Sequence, residues 1–482
     1  MKKFFKTLLA MLFALCYMFM VSACGTVDAT GGGGYGGGYG GGYADSGMVK
    51  PDAGTEGGGK YEDVAPDAPD GEMDEVVGED AVEGEMGEGE GGGDADVVEP
   101  DEPVGSAEES SKEEEPIKKP AGLITAGAWN DNDYYQAWLD LFAQGDTELD
   151  GAAGKFYNRN NADYSWGFTS LNRIKVTVKE GEKAVAGAHV IAKDAQGNAL
   201  FEGVSDANGV AYLFTDEETG TIDVYGGEAV STADFTAENR DLTVDLGIAY
   251  AEKKDIIELM FVVDVTGSMG DELSFMNNEI ADVVNRVAAE YEDAQINLAL
   301  LFYRDHGDKE VFKYYDFVDV TNAEGLATQQ AAIAAQRATG GGDYAEAVEE
   351  ALALAVEKQW SEGATTKIIF QILDAPPHAK QSNQKAMLAA VTAAAKKGIR
   401  VCPVLCSGAD ELTEYVMRQA AIYTGGTFVF VTDDSGIGGA HHDPNLPNVV
   451  VEKLNSLMVR LINGYHSGDF AEPIDWRQDI QE

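Results

Sequence analysis

The sequence predicts an α/β protein: a doubly wound, mostly parallel sheet, preceded by a small all-β sandwich and a disordered acidic, Gly-rich linker. Three observations predict it. From Asp255 onward, nearly continuous apolar runs alternate with stretches whose apolar residues recur at helical spacing. Between Arg173 and Leu246 the apolar period drops to two. Residues 25–120 are low-complexity Gly, Asp and Glu, which bury too little apolar surface to offset the entropy of ordering. The 482 residues suit two or three domains. Their formal net charge of −50 argues against nucleic-acid binding, which needs clustered Lys and Arg. It argues equally against adhesion to an anionic membrane through a basic patch.

The first element, residues 1–23, is an address. Lys2, Lys3 and Lys6 precede an apolar run from Leu8 to Val21, the layout of a secretory signal and too short for a stable spanning helix. The run ends in Val21-Ser22-Ala23-Cys24, which resembles the lipobox of bacterial lipoproteins. That resemblance implies that Cys24 is diacylated and tethers an exported protein to a membrane. Each buried methylene of such chains contributes about 0.8 kcal/mol of anchoring.

Residues 24–120 follow as a tether. GGGGYGGGYGGGY (31–43) has no core-forming residues, and positions 25–120 hold 27 acids against 5 lysines, a net −22. A coil of this length spans on the order of 55 Å, and self-repulsion extends it. Residues 121–171 carry Trp129, Trp138 and Trp166. Tyr135, Trp138, Leu139 and Phe142 sit at helical spacing, so the segment is expected to dock, through a short helix, against its neighbour.

Residues 172–250 read as the sandwich. Ile174, Val176 and Val178 alternate with Arg173, Lys175 and Thr177, and Leu242, Val244 and Leu246 repeat the pattern. Asp194-Ala195-Gln196-Gly197 and Asp206-Ala207-Asn208-Gly209 supply the turns. GEKAVAGAHVIAKDAQGNALFEGVSDANGVAYL resembles the carboxypeptidase regulatory-like, transthyretin-like β-sandwiches, which implies a structural or spacing role.

Residues 255–465 carry the chemistry, with 466–482 expected as a tail. Ile256–Val263, Ile368–Leu373, Ile399–Leu405 and Phe428–Val431 read as strands covered on both faces, and QINLALLFYRD with EVFKYYDF as a hairpin adding an antiparallel edge. Val449 to Ile462 reads as a final helix packed on the sheet. Cys402 and Cys406, four residues apart on one strand, stand roughly 13 Å apart. A disulfide needs Cα atoms within about 7 Å, so both are expected to be buried free thiols.

In such sheets ligands bind beyond the carboxyl ends of the strands. One strand there ends in Asp264-Val265-Thr266-Gly267-Ser268, another in Asp374-Ala375-Pro376-Pro377-His378, and a loop between reads Thr339-Gly340-Gly341-Gly342-Asp343. Carboxylates and hydroxyls so placed describe a site for a hard cation, Mg²⁺, Mn²⁺ or Ca²⁺. DVTGSM, GGGD and LDAPPH resemble the von Willebrand factor A (VWA) domain and its metal-ion-dependent adhesion site. By that resemblance Asp264, Thr266, Ser268 and Asp374 are metal ligands. Where the family usually has a Thr on the second loop, this chain offers Asp343.

Arg304, Asp305 and His306 end a strand on the same face and, with His378, are candidate rim contacts for a partner. No H-E-x-x-H or paired C-x-x-C occurs, so His378, His441 and His442 read as loop or rim residues, not as a zinc site. No Ser/His/Asp set with recognisable context occurs either, so an enzyme is not expected. The resemblance implies a lipoprotein outside the cytoplasm, on the outer membrane or the outer face of the cell membrane. It would bind a protein partner whose acidic side chain completes the metal's coordination, in adhesion or envelope assembly. A structural envelope component with no functional metal, or a metal-assisted hydrolase, are the alternatives.

Overall fold

The computed structural model describes residues 123–143, 166–247, 253–363, 365–436 and 439–479. The signal, Cys24 and the acidic tether lie outside the described residues. The chain enters through β1 (Thr125–Trp129) and α1 (Tyr135–Ala143). A set of short strands follows: β2 (Arg173–Glu180), β3 (Lys183–Ala184), β4 (His189–Lys193), β5 (Ala199–Val204), β6 (Val210–Phe214), β7 (Gly220–Gly226), β8 (Ala229–Phe235) and β9 (Asp241–Asp245). Then come β10 (Ile256–Asp264), α2 (Gly270–Glu290), β11 (Gln295–Tyr303), β12 (Phe312–Asp319), α3 (Ala323–Ala334), α4 (Val348–Glu357) and β13 (Thr366–Leu373). The last elements are α5 (Gln381–Lys396), β14 (Ile399–Leu405), α6 (Glu411–Thr424), β15 (Phe428–Val431), β16 (Glu452–Lys453), α7 (Leu454–Ser467) and α8 (Trp476–Asp479).

One eight-stranded sheet runs in the order β12-β11-β10-β13-β14-β15-β1-β16. β11, β10, β13, β14 and β15 are mutually parallel, while β12 pairs antiparallel with β11. Both faces are covered. Leu259, Phe261 and Val263 of β10 share a core with Val283 and Val287 of α2 and Leu457 and Leu461 of α7. Met260 and Val262 point the other way, into a core with Leu352 of α4, Val391 of α5 and Val416 of α6. Continuous apolar runs are therefore what this sheet requires: all eight residues of β13 are buried. Asn322 and Asp410 cap α3 and α6 through bonds to Gly325 N (2.9 Å) and Thr413 N (2.8 Å). The strand order departs in opposite directions from β10 and β13, and the helices that follow them lie on opposite faces, which opens a crevice beyond their carboxyl ends.

The short strands form two four-stranded sheets, β3-β2-β6 with β9 beside β2, and β5-β4-β7-β8. Ile174, Val176, Val190, Ala192, Ile222, Val224, Leu242 and Val244, alternate residues of their strands, meet in one core. Asp194 and Asp206 shape two of the turns by accepting backbone N–H bonds from Gln196 and Asn198, and from Asn208 and Val210, at 2.8–2.9 Å. This core is continuous with the α4–α6 side of the large sheet. Tyr423 of α6 carries the junction: its ring stacks on Phe214 at 4.4 Å and meets Phe201 and Phe168 edge-on. Lys396 to Glu202 (2.7 Å) and Asn208 to Gly468 O (2.8 Å) bridge the rim.

The large sheet is wider than residues 255–465. β1 pairs antiparallel with both β15 and β16, so a strand from the segment expected only to dock completes the sheet edge. TAGAW, with its small residues and no period-two alternation, gives no strand signal in sequence. Gly127 is needed there, since a Cβ would stand 2.4 Å from the Phe430 ring. Trp138 and Trp166 are buried against the shared core. Residues beyond 465 are not all tail: Trp476 is buried and donates its backbone N–H to Val451 O at 2.9 Å.

Cys402 and Cys406 are both buried and free, with burial pushing the Cys402 thiol up to about 11. Among the described residues no helix is long and apolar enough to cross a membrane. Gly426, between α6 and β15, faces Val401 O so closely that a Cβ would lie 2.0 Å from it. Gly426→Ala should therefore cost about 1–3 kcal/mol by overpacking rigid backbone, read as a lowered urea midpoint. An unchanged midpoint would mean that the β14–α6 packing yields more easily than the close contact implies.

Candidate metal site

β10 delivers Asp264 to the crevice, fully buried, and the chain then turns back on it. Thr266 donates both its backbone N–H and its hydroxyl to Asp264 Oδ1, each at 2.8 Å. Its hydroxyl lies 3.3 Å from that of Ser268, which is exposed at the start of a short 3₁₀ turn. The second loop is stitched onto the first, with Thr339 N donating to Val265 O (3.0 Å) and Gly267 N to Gly340 O (3.2 Å). Arg304 holds that loop from the other side, its guanidinium donating to the carbonyls of Thr339, Glu310 and Arg337. The third loop leaves β13 with Asp374, also buried, with Ser268 beside it.

The structure thus brings Asp264, Thr266, Ser268 and Asp374 together. Asp343 is exposed. The acid this loop carries inward is Glu346, three residues on and 4 % exposed. Its backbone N–H donates to Pro376 O at 3.0 Å, and it forms a parallel bridge with Pro377, which joins the second and third loops. Gly341, at φ +78°, lies directly against it: a Cβ would stand 2.9 Å from Glu346 Oε1 and 3.4 Å from Thr266. Nothing in the sequence singles Glu346 out from other helix-start acids, because its burial comes from the bridge to Pro377.

Electrostatically the crevice is overcrowded with negative charge. Burial, and then Asp374, push the Asp264 carboxyl up to about 7. Burial, then Asp264, Asp305, Asp374 and Asp308, push Glu346 up to about 9. Asp374 is raised as well, mainly by burial. Asp264 Oδ2, Glu346 Oε2, Asp374 Oδ1 and the Tyr303 hydroxyl are buried without a hydrogen-bond partner. Glu272 closes the far side, its Oε1 accepting from the Ser407 hydroxyl and backbone N–H, and its Oε2 also lacks a partner. Buried carboxylate oxygens left unpaired in this number fit a hard divalent cation, which would supply both the missing ligand and the missing charge.

Asp305 and His378 sit beside this set, joined at 2.8 Å between Asp305 Oδ1 and His378 Nε2. His306 is exposed next to them. His441 and His442 lie apart, paired with Asp433 and Glu414.

Residues 258–432 match the family model described as von Willebrand factor A domain. No curated protein matches the chain. Among solved structures, the pilus adhesin SpaC from Lactobacillus rhamnosus GG is 12% identical, covers 42% of this chain and 29% of its own, and has a TM-score of 0.29. This chain therefore spans less than a third of that adhesin. An aerotolerance-related membrane protein from Bacteroides fragilis is 13% identical, with 47% of this chain and 94% of that one covered and a TM-score of 0.22. The protein BatB from Bacteroides thetaiotaomicron is 15% identical, with 46% and 95% covered and a TM-score of 0.24.

Proposed function

We propose that the VWA domain binds a protein partner through a divalent cation, and that the chain is exported and held to a membrane through Cys24. Asp264, Thr266, Ser268 and Asp374 would hold the ion, with Glu346 as the nearby buried carboxylate and Asp343 at the rim. A bound Mg²⁺, Mn²⁺ or Ca²⁺ supplies a positive centre to which an acidic partner side chain can attach. The chain's own residues do the rest. Thr266 fixes the Asp264 rotamer, and Arg304 keeps the second loop closed over the first. With Glu346 adding negative charge, the ion here is a weaker electrophile than in a site completed by a neutral Thr, so the partner must bring further contacts. Arg304, Asp305, His306 and His378 would form part of that rim.

The single observation that carries this reading is the pair of buried, partnerless oxygens on Asp264 and Asp374 at the ends of adjacent parallel strands. The two small sheets would act as a carboxypeptidase regulatory-like spacer of residues 172–250, and the acidic tether would hold the domain off the membrane. We assign no catalytic role to the crevice.

The test is a calorimetric titration of Mg²⁺, Mn²⁺ and Ca²⁺ into the full chain, with Asp264→Ala beside it. The acidic tether binds cations loosely in both proteins and cancels in the comparison. One saturable event lost in the variant is the expected result. Identical isotherms would remove the support for a cation-mediated function.

A further inference from the structure

A second group of potential ligands lies beside the carboxylate crevice without belonging to it. Asp305 and His306 follow β11, His378 follows β13, and Glu349 and Glu350 lie in the first turn of α4. One ligand atom from each of Asp305, His306 and His378 lies within 4.8 Å of the others, and the same holds for His306, Glu349 and Glu350. His306 therefore belongs to both sets. The two imidazole rings stack, with centroids 5.4 Å apart and planes 24° off parallel. Glu349 is fully buried, and its Oε2 has no hydrogen-bond partner although Asn383 donates to its Oε1.

A hydrogen-bonded ion pair would account for Asp305 and His378 alone. It does not account for a second imidazole stacked on the first, or for a buried carboxylate with a free oxygen beside them. Tetrahedral Zn²⁺, with arms of about 2.0–2.2 Å to nitrogen and oxygen, sets its ligand atoms roughly 3.3–3.5 Å apart. The two contacts here, 2.8 Å for Asp305–His378 and 3.6 Å for His306–Glu350, lie on either side of that spacing. His306 and Glu350 are both exposed, so their side chains can turn toward the Asp305–His378 pair.

The geometry points to a second metal site, held by Asp305, His306 and His378 with Glu350 as fourth ligand, that takes a late first-row divalent ion such as Zn²⁺ or Co²⁺. Imidazole nitrogen favours these ions over Mg²⁺ and Ca²⁺, so the two sites select different metals. Glu349 lies beside the set as a buried carboxyl, oriented by Asn383. This inference is independent of the cation reading for Asp264. No local pattern announces the site, because His306 and His378 belong to loops far apart in the chain. β11 and β13 flank β10 on either side, and only that arrangement brings the two loops together.

Co²⁺ tests it, because tetrahedral nitrogen-containing sites give strong visible ligand-field bands and octahedral all-oxygen sites give weak ones. The full chain, saturated with Mg²⁺ to block the oxygen sites, is titrated with Co²⁺. Strong bands reaching one equivalent are expected, and Zn²⁺ should displace them. His306→Ala, which changes an exposed side chain and so leaves the fold intact, should weaken Co²⁺ binding at least about tenfold. His378→Ala should do the same, and Asp264→Ala should leave the bands unchanged. Weak bands only, or strong bands that survive His306→Ala, would overturn the assignment. Bands lost in Asp264→Ala but kept in His306→Ala would overturn it too, and would move the ion to the carboxylate crevice.

Discussion

Stripped of divalent cations, the protein should lose stability as the pH climbs from the ordinary carboxyl range through about 7 and on to about 9, and saturating Mg²⁺ should flatten that loss. The sign follows from the raised acids. Asp264 (about 7) and Glu346 (about 9) bind their protons more tightly folded than unfolded. Their protonated forms therefore stabilise the fold fully below the unfolded carboxyl values, and that contribution is lost as the pH rises through the folded ones. Each tenfold gain in proton affinity on folding is worth about 1.4 kcal/mol. Asp264, Glu346 and Asp374 feel one another's charge, so their contributions do not add, and the total is on the order of several kcal/mol. A cation in the crevice would compensate the ionised forms and remove most of the slope. Asp264→Asn should raise the stability of the metal-free protein at alkaline pH while abolishing the effect of Mg²⁺. Thermal unfolding across this range, with EDTA or with Mg²⁺, reads all of it. A flat metal-free profile would mean that these carboxylates are solvated and carry no strain for a metal to relieve.

The parts of this molecule legible in sequence are those where local pattern and global role coincide. β10, β13 and β14 are covered on both faces, so their apolar runs mark both the strands and, where they stop, the positions of Asp264 and Asp374. Where tertiary contact decides, the pattern is silent. Asp343 and Glu346 are both acids before a helix, and only the bridge of Glu346 to Pro377 and the open backbone of Gly341 make the second the buried one. β1 is invisible because its role depends on small residues fitting beside β15. His306 and His378 read as separate rim residues until the strand order places them together. Arg418 belongs to the same class. Four residues beyond Glu414 on α6, it has the spacing of a solvated surface pair, yet it is 2 % exposed. What covers it is the segment 123–143, whose contribution to the sheet the sequence does not announce.

That burial makes Arg418 the residue whose loss should cost the fold most. Its Nη2 and Nε grip Asp131 at 2.6 and 2.9 Å, and its Nη1 donates to Glu414 at 2.9 Å and to Asn445 O at 3.2 Å. The guanidinium also lies 4.9 Å from the centre of the Trp138 ring. Replacing it with Met keeps the volume but leaves Asp131 buried without its counter-charge and Glu414 with His442 and Asn445 alone, which costs about 3–5 kcal/mol. Arg418→Lys should recover only part of this, because an ammonium cannot make the two-pronged contact with Asp131. Asp131 lies two residues after β1, so the loss should also loosen that sheet edge, and β1 amides should exchange faster than those of β10. If the cost is electrostatic, adding Asp131→Asn and Glu414→Gln to Arg418→Met should restore stability in a mutant cycle, since the neutralised partners no longer need the cation. If Arg418→Met alone unfolds within about 1 kcal/mol of the parent, water reaches these acids, and the contact between residues 123–143 and α6 rests on Trp138 and Trp166 instead.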